Sequence, residues 1–183
     1  MATAERTQPP PLPGKIARLL RESKWLLLVL VAVFLALVLV TFDRADPGWS
    51  HSAAVDRIHN AGGRSGAWIA DVLLYLFGLS AYWLVVLCIY AVIWGYRRLD
   101  GSSISDRRPF IVALAGFSVL LFASSGLEAL RFHSLPAALP LAPGGMLGAV
   151  LSTVFSSTLG FTGGTLVLLT FFGIGVSLFT GVS

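Results

Sequence analysis

Residues with metal-binding chemistry are few and fall between the apolar runs of the chain. His51 and His59 flank Asp56, and imidazole with carboxylate is a ligand combination that zinc accepts. Neither these residues nor His133 has a close ligand spacing such as H-x-x-x-H. Solvated loop histidines are therefore favoured over a metal site.

Nucleophilic and nucleotide chemistry also lack their motifs. Ser80 lies in Gly78-Leu79-Ser80-Ala81, which is only faintly similar to a membrane serine-protease loop, because no glycine follows the serine. No P-loop motif is present, and the only lysines are Lys15 and Lys24. We predict no catalytic, cofactor-binding or metal-binding residue in this chain.

The composition predicts an all-α integral membrane protein. Hydrophobic residues make up 56% and charged residues 12% of the 183 residues, and the mean hydropathy is +0.82. Apolar runs at about 25–42, 79–96, 109–127 and 163–180 each have the length of a transmembrane helix. We predict four spans within a membrane domain of residues 15–183, after a disordered, Pro-rich segment at 1–14.

The distribution of Lys and Arg predicts that both termini are cytoplasmic, because positive residues favour the cytoplasmic side. Nine basic residues lie in the N-terminal arm and in the loop after the second span: Arg6, Lys15, Arg18, Arg21, Lys24, Arg97, Arg98, Arg107 and Arg108. Four lie on the opposite side: Arg44, Arg57, Arg64 and Arg131.

An internal repeat relates the two halves at an offset of 82 residues. Gly62-Gly63-x-x-Gly66-Ala67 matches Gly144-Gly145-x-x-Gly148-Ala149, and Gly78 matches Gly160. Chance alignment of glycine-rich membrane sequence is the competing interpretation. A true repeat predicts two hairpins in the same orientation, related by an axis along the membrane normal.

The repeat also predicts a break in each copy. Residues 66–96 as one helix would measure about 46 Å, longer than a hydrocarbon core of about 30 Å. We predict breaks near Gly78 and Gly160, with short interfacial helices at 66–77 and 146–158 on the outer side, before spans 2 and 4. A single long tilted or protruding helix is the alternative.

The four predicted spans contain no Asp, Glu, Lys, Arg or His. Ion and proton pathways usually need such groups, so a transporter or proton channel is disfavoured. Asp71 is the nearest exception. It is interpreted as a carboxylate near a helix N-terminus at the water boundary, or alternatively as a partner of Arg64 or of another cation in the outer loops.

The last span carries a small-xxx-small pattern at Gly173, Ser177 and Gly181. Such a face allows close helix approach. The partner helix can belong to the same chain or to another subunit, and the sequence favours neither.

Three stretches resemble the N-terminal four-span domain of the FtsK/SpoIIIE family of bacterial DNA translocases. They are Asp43-x-x-Asp46-Pro47-x-Trp49-Ser50, Asn60-x-x-Gly63-x-x-Gly66-Ala67-x-x-Ala70-Asp71 and Phe77-Gly78-x-x-Ala81-Tyr82. Gly144-Gly145-x-x-Gly148 and the closing Phe179-Thr180-Gly181-Val182-Ser183 fit the last part of that domain.

The resemblance implies a membrane anchor and assembly domain at the division septum of the inner membrane. Its partners would be the lipid bilayer, cell-division membrane proteins and other copies of itself, as a hexamer. The ATP- and Mg-dependent motor and the DNA contacts would belong to a part that this sequence does not include. Residues 43–66 would form a contact surface, with Trp49 as its apolar anchor. A small transporter or lipid-handling protein is the alternative, with Ser118, Ser124 and Ser125 as its candidate polar residues.

Overall fold

The structure is a computed structural model that describes residues 14–52, 57–99, 108–132 and 138–182. All regular secondary structure in these ranges is helical. The all-α prediction is therefore confirmed for the described ranges. The Pro-rich segment predicted to be disordered lies almost wholly outside them, as do Asp56 and His133.

The described residues form five α-helices. They are α1 (Gly14–Val40), α2 (Gly63–Phe77), α3 (Trp83–Leu99), α4 (Arg108–Arg131) and α5 (Gly145–Thr180), and a 3-10 turn at Gly78–Tyr82 joins α2 to α3. Four helical segments are long and apolar enough to cross a membrane: Ser23–Val40, Gly63–Trp94, Phe110–Arg131 and Gly145–Thr180. The four predicted spans are thus confirmed.

Both predicted breaks are present in the backbone. Gly78 has φ 61° and ψ −141°, and Gly160 has φ 69° and ψ 175° inside α5. An L side chain adopts such positive φ values only with strain, so glycine is the residue that permits these breaks. Gly63 (φ 64°) and Gly145 (φ 61°) open α2 and α5 in the same conformation. The two-fold relation of the halves and the interfacial position of the short helices stay predictions.

The spans pack in pairs, α1 against α3 and α4 against α5. In the second pair a Cβ on Gly116 would lie 2.5 Å from the Phe179 nitrogen, and a Cβ on Gly175 would lie 2.6 Å from the Leu120 nitrogen. These contacts run in opposite order along the two helices, so α4 is antiparallel to the second half of α5. Close backbone approach replaces the hydrophobic effect as the source of cohesion between helices in lipid.

The middle of the molecule is α4. Of its apolar segment 44% of residues are buried, against 17% for the segment in α1 and 22% for the other two. The side chains of Leu26 and Val40 in α1 are more than two-thirds exposed. Because these surfaces are continuous and apolar, lipid is the solvent that suits them.

Candidate functional site

The first loop, residues 41–62, is fixed to the end of α1 by a buried carboxylate. Asp46 is 2% exposed. Its Oδ1 accepts the backbone N–H of His59 at 2.8 Å, and its Oδ2 accepts that of Asn60 at 2.7 Å. The His59 ring Nδ1 also lies 3.3 Å from Oδ1. Burial raises the pKa of Asp46, but these hydrogen bonds and the His59 ring outweigh burial and leave the pKa below its ordinary value.

Asn60 caps the C-terminal end of α1. Its Nδ2 donates to the Val38 carbonyl at 2.8 Å and to the Thr41 carbonyl at 3.2 Å, and its Oδ1 accepts the Gly62 N–H at 2.9 Å. The last carbonyls of a helix have no partner inside that helix, so a side-chain amide stabilises them. A Cβ on Gly66 would lie 2.6 Å from the Asn60 Oδ1, so the small residue predicted from the motif is what admits this amide.

Asp71 fixes the middle of the loop. It is fully buried in the middle of α2. Its Oδ2 accepts the Ser50 N–H at 2.6 Å, and its Oδ1 accepts the Ser50 hydroxyl at 3.0 Å. Both interpretations from the sequence were wrong, because α2 begins at Gly63 and Asp71 is enclosed rather than at a water boundary. Its partner is Ser50, 21 residues earlier, and not Arg64 or a loop cation.

Two tryptophans, one in the loop and one in α2, have exposed side chains. The side chain of Trp49 is 53% exposed and that of Trp68 is 49% exposed. One edge of Trp49 contacts Tyr75 of α2, with ring centroids 5.2 Å apart and an interplanar angle of 72°. One edge of the Trp49 ring is therefore fixed by Tyr75, while about half of the side chain stays exposed. This is the geometry expected of an apolar anchor.

The loop histidines make hydrogen bonds within the loop. His51 Nε2 lies 2.8 Å from the Arg44 carbonyl, and its Nδ1 lies 3.1 Å from the Ser50 hydroxyl. In the described part of the chain, no three His, Cys, Asp or Glu side chains converge into a group that could hold a metal. Ser50 lies between Asp71 and His51, so this chain of contacts lacks the order of a nucleophile, base and orienting acid.

A third buried carboxylate, that of Glu128, was not predicted from the sequence. The third span is predicted to end at residue 127, whereas α4 continues to Arg131. The apolar segment of α4 includes Glu128, which is 9% exposed. The prediction that the spans hold no ionisable group was therefore wrong. Hydropathy alone places a span boundary at the first charge, whereas a helix continues wherever that charge finds partners.

Glu128 joins three elements through hydrogen bonds. The Ser80 hydroxyl donates to its Oε1, and the Gly144 N–H donates to its Oε2 at 2.8 Å. The backbone N–H groups of Leu79 and Ser80 donate to it as well. Ser124 adds its hydroxyl 2.6 Å from that of Ser80. The carboxylate thus holds the break after α2, the middle helix α4 and the residue before α5 together.

The motif glycines allow this junction to close. A Cβ on Gly78 would lie 2.3 Å from the Gly144 nitrogen, and one on Gly145 would lie 2.6 Å from the Gly78 nitrogen. A Cβ on Gly148 would lie 2.3 Å from the Ser125 carbonyl oxygen. The two Gly-Gly copies of the sequence repeat differ here. Gly63 has nothing within 4 Å of a built Cβ, whereas its counterpart Gly145 is enclosed by backbone.

The three small residues of the predicted pattern in the last span differ in their surroundings. A Cβ on Gly173 would meet nothing within 4 Å. Ser177 donates to the Val182 carbonyl at 2.7 Å, and Gly181 ends α5 with φ 72°. Among described residues the close packing within the chain is made by Gly175 instead, so the intrachain alternative is wrong for Gly173. Packing of Gly173 against another subunit stays a prediction.

These contacts define the class of the protein. It is a helical membrane domain in which buried carboxylates accept hydrogen bonds from the backbone N–H groups of other segments. Every described Asp or Glu oxygen that is buried accepts hydrogen bonds from the chain itself. Such carboxylates fix loops and helix breaks.

The chain belongs to the family described as the 4TM region of DNA translocase FtsK/SpoIIIE, which matches residues 17–183. It is 48% identical over 179 residues to a protein named DNA translocase FtsK 2 of Ralstonia nicotianae, covering 95% of this chain and 23% of that one. It is 39% identical over 164 residues to DNA translocase FtsK of Vibrio vulnificus, covering 90% and 16%.

DNA translocase FtsK 1 of Neisseria meningitidis is 32% identical over 173 residues, covering 93% of this chain and 21% of that one. The chain thus spans less than a quarter of the length of these relatives. No solved structure matches it. The resemblance drawn from the loop and glycine motifs is confirmed.

Proposed function

We propose that this chain is the membrane anchor and assembly domain of a DNA translocase of bacterial cell division. It holds the translocase in the inner membrane with both termini in the cytoplasm, collects it at the septum and contacts division proteins. The family match over residues 17–183 supports this proposal, as do the translocase names of the relatives. DNA translocation, ATP and Mg belong to the rest of such a protein.

One observation carries the proposal of a contact surface: the first loop is fixed near its C-terminal end and at Ser50, next to the exposed Trp49. Asp46 and Asp71 anchor the loop through backbone N–H groups. Trp49 then stands in one position with 53% of its surface open. A large, rigid aromatic side chain on an ordered surface contributes much to protein–protein affinity at little entropic cost.

The test is localisation of the chain with a fluorescent tag. The tagged chain is expected to collect at mid-cell. Trp49→Ala should reduce the mid-cell fraction at an unchanged membrane level, because the loop anchors are untouched. Trp68→Ala is the matched control, since Trp68 is equally exposed but lies outside residues 43–66. A uniform membrane distribution of the tagged wild-type chain would contradict the proposal.

The orientation has its own test. Single cysteines at residue 44 in the first loop and at residue 18 near the N-terminus, in a Cys88→Ala background, are labelled in intact cells by a membrane-impermeant maleimide. Labelling at 44 and protection at 18 are expected from the nine-to-four distribution of basic residues. The opposite pattern would reverse the proposed orientation.

The transporter alternative draws no support from its candidate residues. Ser118 donates to the Leu114 carbonyl of its own helix. Ser124 and Ser125 are buried and bonded to Ser80 and to the Phe77 carbonyl. The Ser124 and Ser125 hydroxyls therefore close a helix junction, while the Ser118 hydroxyl is bonded within its own helix.

A further inference from the structure

A groove on the lipid-facing side of the molecule runs between α4 and the two halves of α5. It has a volume of about 340 Å³, and almost all of its lining is apolar. Gly160 interrupts α5 between the two halves that line the groove, and a Cβ on Gly164 would lie 3.1 Å from the Phe155 Cβ. Its principal lining residues are Ser118, Phe122, Leu151, Phe155, Leu168 and Phe171.

A single cation is fixed beside the groove. Arg131, the last residue of α4, donates from Nε to the Thr165 hydroxyl at 3.2 Å. Its guanidinium carbon lies 4.3 Å from the centroid of the Phe161 ring. Thr165 adjoins Gly164, at which an added Cβ would lie 3.1 Å from the Cβ of Phe155 in the groove wall. The charged group and the apolar surface are therefore continuous.

The charge of Arg131 is not neutralised by the described part of the chain. Its side chain is exposed, and the described ion pairs do not include it. Glu128, one turn earlier, bonds to Ser80 and Gly144 instead. The Thr165 hydroxyl accepts a hydrogen bond only from Nε, so within the described part of the chain the two terminal guanidinium nitrogens are available to donate hydrogen bonds. Their planar fork fits a phosphate better than it fits any neutral head group.

The dimensions fit one lipid molecule. Thirteen residues separate Ser118 from Arg131, or about 20 Å along the helix. One leaflet contributes about half of a hydrocarbon core of about 30 Å, and the head group lies beyond it. An acyl chain beside Ser118 and a phosphate at Arg131 thus span the same depth as one phospholipid.

We propose that this groove is a binding site for an anionic phospholipid, with its phosphate on Arg131 and an acyl chain between α4 and α5. Zwitterionic lipids fit the apolar part, but a choline or ethanolamine cation stands near the Arg131 charge and weakens the contact. The site goes beyond anchoring, because it selects one lipid class at one position of the domain.

The experiment is native mass spectrometry of the 183-residue chain in nonionic detergent, titrated with phosphatidylglycerol or phosphatidylcholine. We expect tighter binding of phosphatidylglycerol. Arg131→Gln should lower that affinity about tenfold, the effect of losing one charge-assisted contact, and should leave phosphatidylcholine binding unchanged. Ser118→Trp, at an exposed groove residue, should lower binding of both lipids. Arg64→Gln, an exposed arginine of α2 outside the groove, is the matched control.

Several outcomes overturn the proposal. Equal affinity of the wild-type chain for the two lipids removes the selectivity. Unchanged phosphatidylglycerol binding in Ser118→Trp, which leaves Arg131 in place, removes the groove. Competition by inorganic phosphate with no effect of the acyl chains assigns Arg131 to free anions. A Ser118→Trp variant that changes oligomer mass but not lipid binding assigns the groove to a second copy of the chain.

Discussion

Two glycines of α5, two residues apart and so on roughly opposite faces of the helix, allow the helix packing to be tested with a matched pair of substitutions. A Cβ on Gly175 would lie 2.6 Å from the nitrogen and 2.8 Å from the Cα of Leu120, whereas a Cβ on Gly173 would meet nothing within 4 Å. Contacts between carbon atoms are favourable only from about 3.5 Å. In Gly175→Ala, α4 and α5 must therefore separate by roughly 1 Å, and the neighbouring Gly116 contact must open with them.

The magnitude follows from comparing the two variants directly. Alanine in place of glycine favours a helix by about 1 kcal/mol in either variant, so this contribution cancels in their difference. Overpacking costs about 1–3 kcal/mol. We expect Gly175→Ala to be less stable than Gly173→Ala by about 2 kcal/mol, which corresponds to roughly 4–8 °C in Tm for a chain of this size.

The assay is thermal unfolding of both variants and the wild-type chain in the same detergent, followed by circular dichroism. Gly173→Ala should melt at or slightly above the wild-type temperature, and Gly175→Ala should melt below it. Equal melting temperatures for the two alanine variants would refute the antiparallel packing of α4 on α5. A lower Tm for Gly173→Ala would show that α5 is rotated relative to the structure described here.

Three further results are expected. Glu128→Ala leaves buried donors without an acceptor, so it should lower the free energy of unfolding, measured by denaturant titration, by at least about 3 kcal/mol. A loss below about 1 kcal/mol would contradict the role of Glu128 in the junction. Ser118→Ala is the control. Asp46→Asn should destabilise the chain above about pH 5. The folded pKa of Asp46 lies below its ordinary value, so the ionised carboxylate stabilises the chain above the unfolded value of about 3.9, and this stabilisation is lost as the pH falls through the folded pKa. The Tm difference should therefore shrink as the pH is lowered below about 3.9, and a pH-independent difference would contradict this reasoning. Gly173→Ile should reduce oligomer mass in light scattering while the Tm is retained; unchanged mass would show that this face does not join subunits.

Elements that depend on local sequence could be predicted. Spans follow from runs of apolar residues about as long as a bilayer is thick, and α1 ends within two residues of its predicted boundary. The breaks follow from glycine, because Gly78 and Gly160 are the positions where a positive φ is free of strain. Both signals, the apolar runs and the glycines, lie within a stretch of sequence about as long as one helix.

Partners that lie far apart in the chain could not be predicted. Glu128 meets Ser80 across 48 residues and Gly144 across 16. Asp71 meets Ser50 across 21 residues. No periodicity in the sequence connects such positions. A pattern of small residues does not fix the rotation of a helix about its axis, so the sequence indicates Gly173 as a packing residue where the structure has Gly175.

The order in which the donors to Glu128 occur in the chain matters for its synthesis. An ionised residue costs about 2.5–3.5 kcal/mol on insertion at the centre of an isolated transmembrane helix, and Glu128, in the last turn of α4, bears part of that cost. Leu79 and Ser80 precede Glu128, so their N–H groups and hydroxyl have already been made when α4 leaves the ribosome. Gly144 is added later and completes the set. The second span is thus a ready-made receptor for the third, and the domain can assemble in the same direction in which it is translated.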